Sequence, residues 1–279
     1  MLFNYITWDI NPEIINIGGF SLRYYGILFA SGIILSYIVL VWLFKQEKIP
    51  QENLDKLSWY AIIGIIIGAR LGHCLFYEPS YYLDHPLEMI LPVQFKEGGG
   101  IRFTGYQGLA SHGGALGLFL ALVYYTWKTK QSLIKTVDLI AVVAPLGSTF
   151  IRLANLMNSE IIGVPTDKPW AFIFKKIDDV PRHPAQLYEA LTYLAIFGLM
   201  IFLYKRYRKH LQKGALFGIS ISLIFIARFF IEFIKEDQVA FEAGMAYNMG
   251  QLLSIPYILI GILFIYLGIS RTRKMNAKA

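Results

Sequence analysis

Seven stretches of this chain, residues 24–44, 57–77, 107–127, 137–157, 186–204, 214–234 and 250–270, are about as long and as apolar as a helix must be to cross the hydrocarbon core of a bilayer. A backbone surrounded by lipid has to satisfy its own hydrogen bonds, so stretches of this kind are expected as α-helices. They take up most of the 279 residues. The sequence therefore predicts an all-α integral membrane protein, one polytopic domain over residues 1–279 with about seven transmembrane helices. Only 16% of the residues are charged, whereas a soluble domain carries roughly 25%, which excludes most soluble classes.

The formal charge of +7 would suit a nucleic-acid partner, but its distribution reads as a topology signal and predicts none. Lys and Arg are retained in short cytoplasmic loops during insertion. They gather here after the first span (Lys45, Lys48, Lys56), after the third (Lys128, Lys130, Lys135) and after the fifth (Lys205, Arg206, Arg208, Lys209, Lys213). The C-terminal segment adds Arg271, Arg273, Lys274 and Lys278, so these four segments hold 15 of the 26 basic residues. Their alternation predicts an N-terminus outside and a cytoplasmic C-terminus. The first twenty residues have no basic n-region, no uninterrupted apolar core and no small-residue cleavage site, so the first span is expected to direct insertion itself. Cys74, the only cysteine, lies inside the second apolar window, which leaves no disulfide framework within the chain and no cysteine metal site. It reads as a packed apolar residue.

Segments 78–106 and 158–185, which this topology places outside, are long, nearly balanced in charge and rich in Pro, Tyr, Phe and Trp. They are expected to form a small extracytoplasmic cap. Within them, Val93–Phe95 and Trp170–Phe174 fit either short strands or interfacial segments.

A charge at the centre of a bilayer costs roughly 2.5–3.5 kcal/mol on insertion scales, so the polar residues inside the windows are informative. Placed by depth, they all fall in the outer half of the membrane: Arg23, Tyr24 and Tyr25 on span 1, Arg70 and His73 on span 2, and His112 on span 3. Span 4 ends in Arg152, Asn155, Asn158 and Glu160; Tyr188 and Glu189 open span 5, Arg228 and Glu232 close span 6, and Gln251 begins span 7. Taken singly, each has a structural reading. Arg228 and Glu232 are spaced as an intrahelical i, i+4 pair, Arg23 can snorkel to headgroups, and a histidine near a helix end can bond backbone. Taken together, three arginines (Arg70, Arg152 and Arg228) on three spans exceed their acidic partners in a low-dielectric layer, and an anionic ligand would balance them. A guanidinium offers a planar fork to phosphate oxygens, and glycines 113, 114 and 117 beside His112 permit close approach of backbone to backbone or to a ligand. A phospholipid entering sideways from the outer leaflet meets both demands. An anion transporter would need access from both faces, yet the inner halves of the spans are almost free of polar residues. A lipid-binding scaffold would leave His112 unexplained.

The segment IRLANLMNSEIIGVPT at 151–166 resembles the signature of the prolipoprotein diacylglyceryl transferase family, and RYYG at 23–26, GARLG at 68–72, SHGG at 111–114, RHPAQLYEA at 182–190, ARFFIEF at 227–233 and MGQLLSIP at 249–256 resemble its other motifs in order. The resemblance implies a multi-pass protein of the bacterial plasma (inner) membrane. It also implies a reaction in which the thiol of a lipobox cysteine, on the signal peptide of a prolipoprotein, attacks the glycerol carbon that bears the phosphoester of phosphatidylglycerol. Glycerol phosphate leaves. Carried over residue by residue, the resemblance implies that Arg152 and Arg228 hold the phosphate and that His112 is the base. It implies that Tyr25 and Asn155 bond the headgroup, that Glu160 and Glu232 orient arginines, and that Gly163 shapes the turn beyond span 4; Arg70 joins them as a substrate-binding candidate by its depth. The chain departs from the family at Ile151, where the signature opens with glycine, and at Lys235, where arginine is common; lysine lacks the fork, which weakens a phosphate-binding role there. His183, within a matching motif, suits ordering a loop as well as chemistry. No metal-ligand cluster and no phosphate loop is present in the sequence, so neither metal nor nucleotide is expected.

Overall fold

The computed structural model describes residues 5–276 other than 18–19, 92, 96–98, 104–107, 109, 209–210, 238–241 and 243. Lys209, Lys278, Gln107 at the head of the third window and parts of segment 78–106 therefore lie outside the described residues. In chain order the elements are β1 (Ile6–Trp8), β2 (Glu13–Ile17), β3 (Phe20–Arg23), α1 (Tyr24–Gln46), α2 (Gln51–Phe76), α3 (Pro79–Asp84), α4 (Pro86–Ile90), β4 (Val93–Phe95) and β5 (Ile101–Phe103). They continue with α5 (Ser111–Thr129), α6 (Leu133–Met157), β6 (Phe172–Phe174), β7 (Pro181–Arg182), α7 (Ala185–Tyr207), α8 (Ala215–Ile231), a single 3₁₀ turn at Glu232–Ile234, and α9 (Met249–Asn276).

Six helices among the described residues, α1, α2, α6, α7, α8 and α9, are long and apolar enough to cross a membrane. The third sequence window becomes α5, which is 19 residues long but opens on Ser-His-Gly-Gly and closes on Thr-Trp-Lys-Thr, and these polar ends leave it outside that class. Aliphatic side chains point outward along the helices, among them Ile33, Ile34 and Ile38 of α1, Ile63 and Ile67 of α2, and Leu259, Ile262 and Leu263 of α9. Exposed apolar surface of this extent marks a molecule whose solvent is lipid. Seven short strands among the described residues accompany the helices, and both aromatic segments left open by the sequence contribute one, β4 at Val93–Phe95 and β6 at Phe172–Phe174.

The chain divides into two compact units, residues 1–43 with 134–279, and residues 44–133. In the second unit α2 and α5 pack backbone to backbone. Gly64, Gly68 and Gly72 recur every fourth residue on α2 and meet Gly113 and Gly117 of α5. A Cβ built on Gly68 would lie 2.3 Å from the Gly113 carbonyl oxygen, and one on Gly117 would lie 2.0 Å from that of Gly64. Small residues at this spacing let two helices approach in lipid, where there is no hydrophobic drive between them. The glycines beside His112 thus serve helix packing.

In the first unit α6 is the most enclosed of the long helices, with half of its most apolar stretch buried. Pro145 lies inside it, and a proline there removes the N–H that the carbonyl four residues earlier would accept. That carbonyl, on Ala141, instead accepts a hydrogen bond from Ser220 Oγ of α8 at 2.7 Å. One turn away, the buried Asp138 carboxylate accepts from the backbone N–H groups of Gly214 (2.6 Å) and Phe217 (2.8 Å), capping the start of α8 from a neighbouring helix. These bonds fix α8 against α6 at that end. The other end of α6 is fixed by a three-stranded sheet in the order β1-β6-β7, where β1 runs parallel to β6 with Ile6 opposite Phe172. Trp8 of β1 packs on a core of Leu156, Ile162, Phe172 and Phe174, and its indole N–H donates to the Leu156 carbonyl.

Candidate active site

Beyond Asn155, helix α6 ends in a Schellman motif. Ser159 N–H donates to Leu156 O and Glu160 N–H to Asn155 O, with Ser159 in the left-handed region at φ 54° where glycine is usual. This reversal carries Glu160 back over the helix end, so the Asn155 amide donates to Glu160 Oε1 at 2.6 Å while Asn155 Oδ1 accepts from Arg152 at 3.3 Å. Ile161 follows at φ 60°, a conformation that strains a β-branched residue and that a restrained surround must hold. The restraint is visible. Gly163 N–H donates to His183 O, Val164 N–H to Ile234 O and Glu236 N–H to Ile162 O. Gly163 lies so close to both neighbours that a Cβ would fall 2.5 Å from His183 O and 2.7 Å from Ile234 O, so any side chain would push the two segments apart.

Arg182 ties the same segments through their side chains: its guanidinium is paired with Asp178 and Glu236, and its hydrogen bonds hold the Asp178 carboxyl below the usual carboxylate range. His183 is pushed below the ordinary histidine value by burial, and its Nδ1 lies 3.1 Å from the Tyr188 hydroxyl, which also accepts from the Trp170 indole. These contacts tie His183 to the first turn of α7.

Helix α7 presents Gln186, Glu189 and Tyr193, at the i, i+3, i+7 spacing of one helix face, toward these groups. Gln186 Nε2 donates to the Glu160 carbonyl at 2.6 Å. Glu189, wholly buried, sets Oε2 3.0 Å from Arg152 Nε, an ion pair without the alignment of a hydrogen bond, and receives the Tyr193 hydroxyl and Lys235 Nζ on Oε1. Lys235, only 2% exposed, also reaches Glu232 Oε2 at 3.1 Å, and Arg228 Nε lies 3.9 Å from that same oxygen. The result is a continuous chain, Arg152–Glu189–Lys235–Glu232–Arg228, with three cations and two carboxylates. Tyr25, at the start of α1, is within electrostatic reach of both Glu160 and Arg152.

Arg152 and Arg228 also line one end of an apolar cavity of about 400 Å³ between α6 and α8. Val137, Ala141, Ala144, Ser148 and Ile151 form the α6 wall, and Phe217, Ile221, Ile224 and Phe225 face them. The α6 wall runs from residue 137 to 152, roughly 22 Å at the helical rise. A long apolar groove closed by two guanidinium groups can hold an amphiphile with an anionic head.

Of the residues singled out in the sequence, Tyr25, Arg152, Asn155, Glu160, Gly163, Arg228 and Glu232 belong to the first unit; six of them touch or brace this network, and Tyr25 lies within electrostatic reach of it. Arg70 and His112 belong to the second unit. Arg70 is buried and directs its guanidinium to the carbonyls of Glu88 (2.5 Å) and Met89 (3.2 Å) and over the Tyr82 ring. These contacts hold α4, whose Glu88 side chain in turn accepts from Phe95 N–H and Tyr81. His112 is exposed on the first turn of α5. Sequence reasoning did not assign site roles to Glu189, Tyr193 and Gln186. The signal for Glu189 was available, since an ionisable residue inside an apolar window is a functional candidate on depth alone.

Comparison with known proteins identifies the family. A family model described as prolipoprotein diacylglyceryl transferase matches residues 12–267. A phosphatidylglycerol–prolipoprotein diacylglyceryl transferase of Bacteroides fragilis is 56% identical over 261 residues, covering 94% of each chain. Proteins of the same name from Tolumonas auensis and Chloroherpeton thalassium are 44% identical over 263 residues (94% of this chain, 97% of theirs) and 41% identical over 271 residues (97% of each). With a match across nearly its whole length, the chain belongs to the prolipoprotein diacylglyceryl transferase family.

Proposed function

We propose that this chain transfers the diacylglyceryl group of phosphatidylglycerol to the thiol of a lipobox cysteine, the first step of lipoprotein maturation. The observation that carries the reading is the pair of guanidinium groups, Arg152 and Arg228, at the head of an apolar groove. The groove suits the acyl region of the phospholipid and the fork of each arginine suits its phosphate. In the reaction a sulfur–carbon bond forms to glycerol while the carbon–oxygen bond to phosphate breaks. The phosphate oxygen keeps the electron pair, and the thiol proton passes to a base. Charge grows on the departing phosphate, where fixed cations in a dry site lower the barrier most. His112 is the proposed base, because the thiolate is the nucleophile. Tyr25 and Asn155 bond the headgroup, Glu160 orients Arg152 through Asn155, Glu232 orients Arg228 from 3.9 Å without closing on it, and Gly163 keeps the turn behind Asn155 closed. Arg70 assists by holding α4 and the Tyr82 ring.

In this reading the chain is one polytopic domain of the bacterial inner membrane, with seven spans including α5. Its N-terminus is outside, its C-terminus is cytoplasmic, the short sheets form an external cap and the site faces the outer leaflet. The substrate's signal peptide arrives along the same bilayer. The test is direct: purified protein is incubated with phosphatidylglycerol and a lipobox peptide, and the peptide is weighed. A gain equal to one diacylglyceryl group is expected, and an unchanged mass from folded protein defeats the reading.

A further inference from the structure

We infer that Lys235 is a positioning residue that keeps Arg228 available to the anionic substrate by drawing Glu232 away from it. The inference rests on the phosphate-binding reading of the two arginines given above.

Glu232 and Arg228 are one helical turn apart, a spacing at which a carboxylate and a guanidinium ordinarily pair. They do not close here. Lys235 Nζ sits 3.1 Å from Glu232 Oε2, whereas Arg228 Nε is 3.9 Å from that oxygen, is buried, and meets no hydrogen-bond partner among the described residues. The two arginines differ accordingly. Arg152 is held at 3.0 Å by Glu189 with a side chain 14% exposed, while that of Arg228 is 35% exposed and lines the groove.

The backbone leaves Lys235 little choice of position. The 3₁₀ turn brings it three residues past Glu232, and an antiparallel bridge to Gly163 fixes its Cα. Glu232 is cornered as well, since a Cβ on Gly250 would lie 2.5 Å from its carboxyl carbon. A compact ammonium with three donors can serve two carboxylates at once, and Lys235 does so with Glu189 and Glu232, both at 3.1 Å. Without that ammonium, Glu232 would have Arg228 as its nearest cation, and the guanidinium fork would turn onto the protein's own carboxylate in place of a phosphate.

The test is a double-mutant cycle on kcat/KM for phosphatidylglycerol in mixed micelles. Transfer by the unaltered protein comes first, and its absence overturns the phosphate reading without reaching Lys235. Given that activity, Lys235→Met is expected to lower kcat/KM about tenfold or more, chiefly through KM, because Arg228 is captured. In a Glu232→Gln background the same substitution is expected to change kcat/KM less than about threefold, since the trap is gone. Lys235→Arg retains activity. A purely structural lysine would give equal losses in both backgrounds, and that result, or an unchanged kcat/KM for Lys235→Met, overturns the proposal. If Lys235→Met does not fold, Lys235→Gln is used in the same cycle, because its amide still bonds a carboxylate but carries no charge.

Discussion

Two helix pairs in this molecule meet by opposite means. In α2 and α5 the glycines at 64, 68, 72, 113 and 117 bring backbone against backbone and leave no room for a side chain between them. In α6 and α8 the helices are fixed at one end by Asp138 and Ser220, and side chains from both line an open groove that ends in Arg152 and Arg228. In lipid, closure needs small residues, whereas an opening needs polar fastenings away from it, because apolar side chains gain little from leaving lipid for one another. The closed pair leaves no space between its helices, and in the reading proposed above the open pair is where the phospholipid enters.

The largest effect expected of a substitution is at the head of the groove. Arg152→Lys and Arg228→Lys keep the charge but lose the fork, and each should reduce kcat about 10²–10³-fold in the peptide transfer assay. Near-normal rates in both would show that charge alone suffices. His112→Gln should slow turnover at neutral pH about 10²-fold, recover in part as pH is raised and the peptide thiol ionises unaided, and leave phospholipid binding nearly intact. Equal loss of lipid binding, without recovery, would place His112 in the headgroup pocket and the base elsewhere. In the closed pair, Gly68→Leu should lower thermal stability in detergent by about 3 kcal/mol or prevent folding, since its Cβ alone would meet the Gly113 carbonyl. Ser220→Ala should cost about 1–3 kcal/mol by leaving the Ala141 carbonyl unpaired, with little change at the arginines. The smallest expected effect is Ser159→Gly, which should raise the melting temperature slightly by removing up to about 1 kcal/mol of left-handed strain. A fall would mean that the buried Ser159 hydroxyl has a partner.

The long helices were legible because length and apolarity alone imply them. Their ends were less so: α2 begins at Gln51, six residues before the apolar window, because a helix can continue into water on polar residues such as Glu52 and Lys56, which pair at 2.6 Å. Strand pairing was hidden, since β1 and β6 are three residues each and distant in sequence, with no alternation long enough to read. The turn after α6 was hidden for a different reason: the left-handed positions carry Ser159 and Ile161 in place of the glycine that would have signalled them. At the site, the arginines could be read from depth. The sharing of Glu189 and Glu232 by Lys235 could not, because it depends on which of several nearby charges the backbone brings to 3 Å.

The bonds between α6 and α8 also bear on biosynthesis. Ala141 O and the Asp138 carboxylate are answered by residues made 76 to 79 positions later in the chain. At roughly 5–20 residues per second that is a wait of roughly 4–16 s. During this interval α6 sits in or beside the insertion machinery with a proline-orphaned carbonyl and a carboxylate that nothing yet caps. A nascent chain halted before α8 lacks the partners of both groups, so α6 acquires its full set of hydrogen bonds only once α8 has been made.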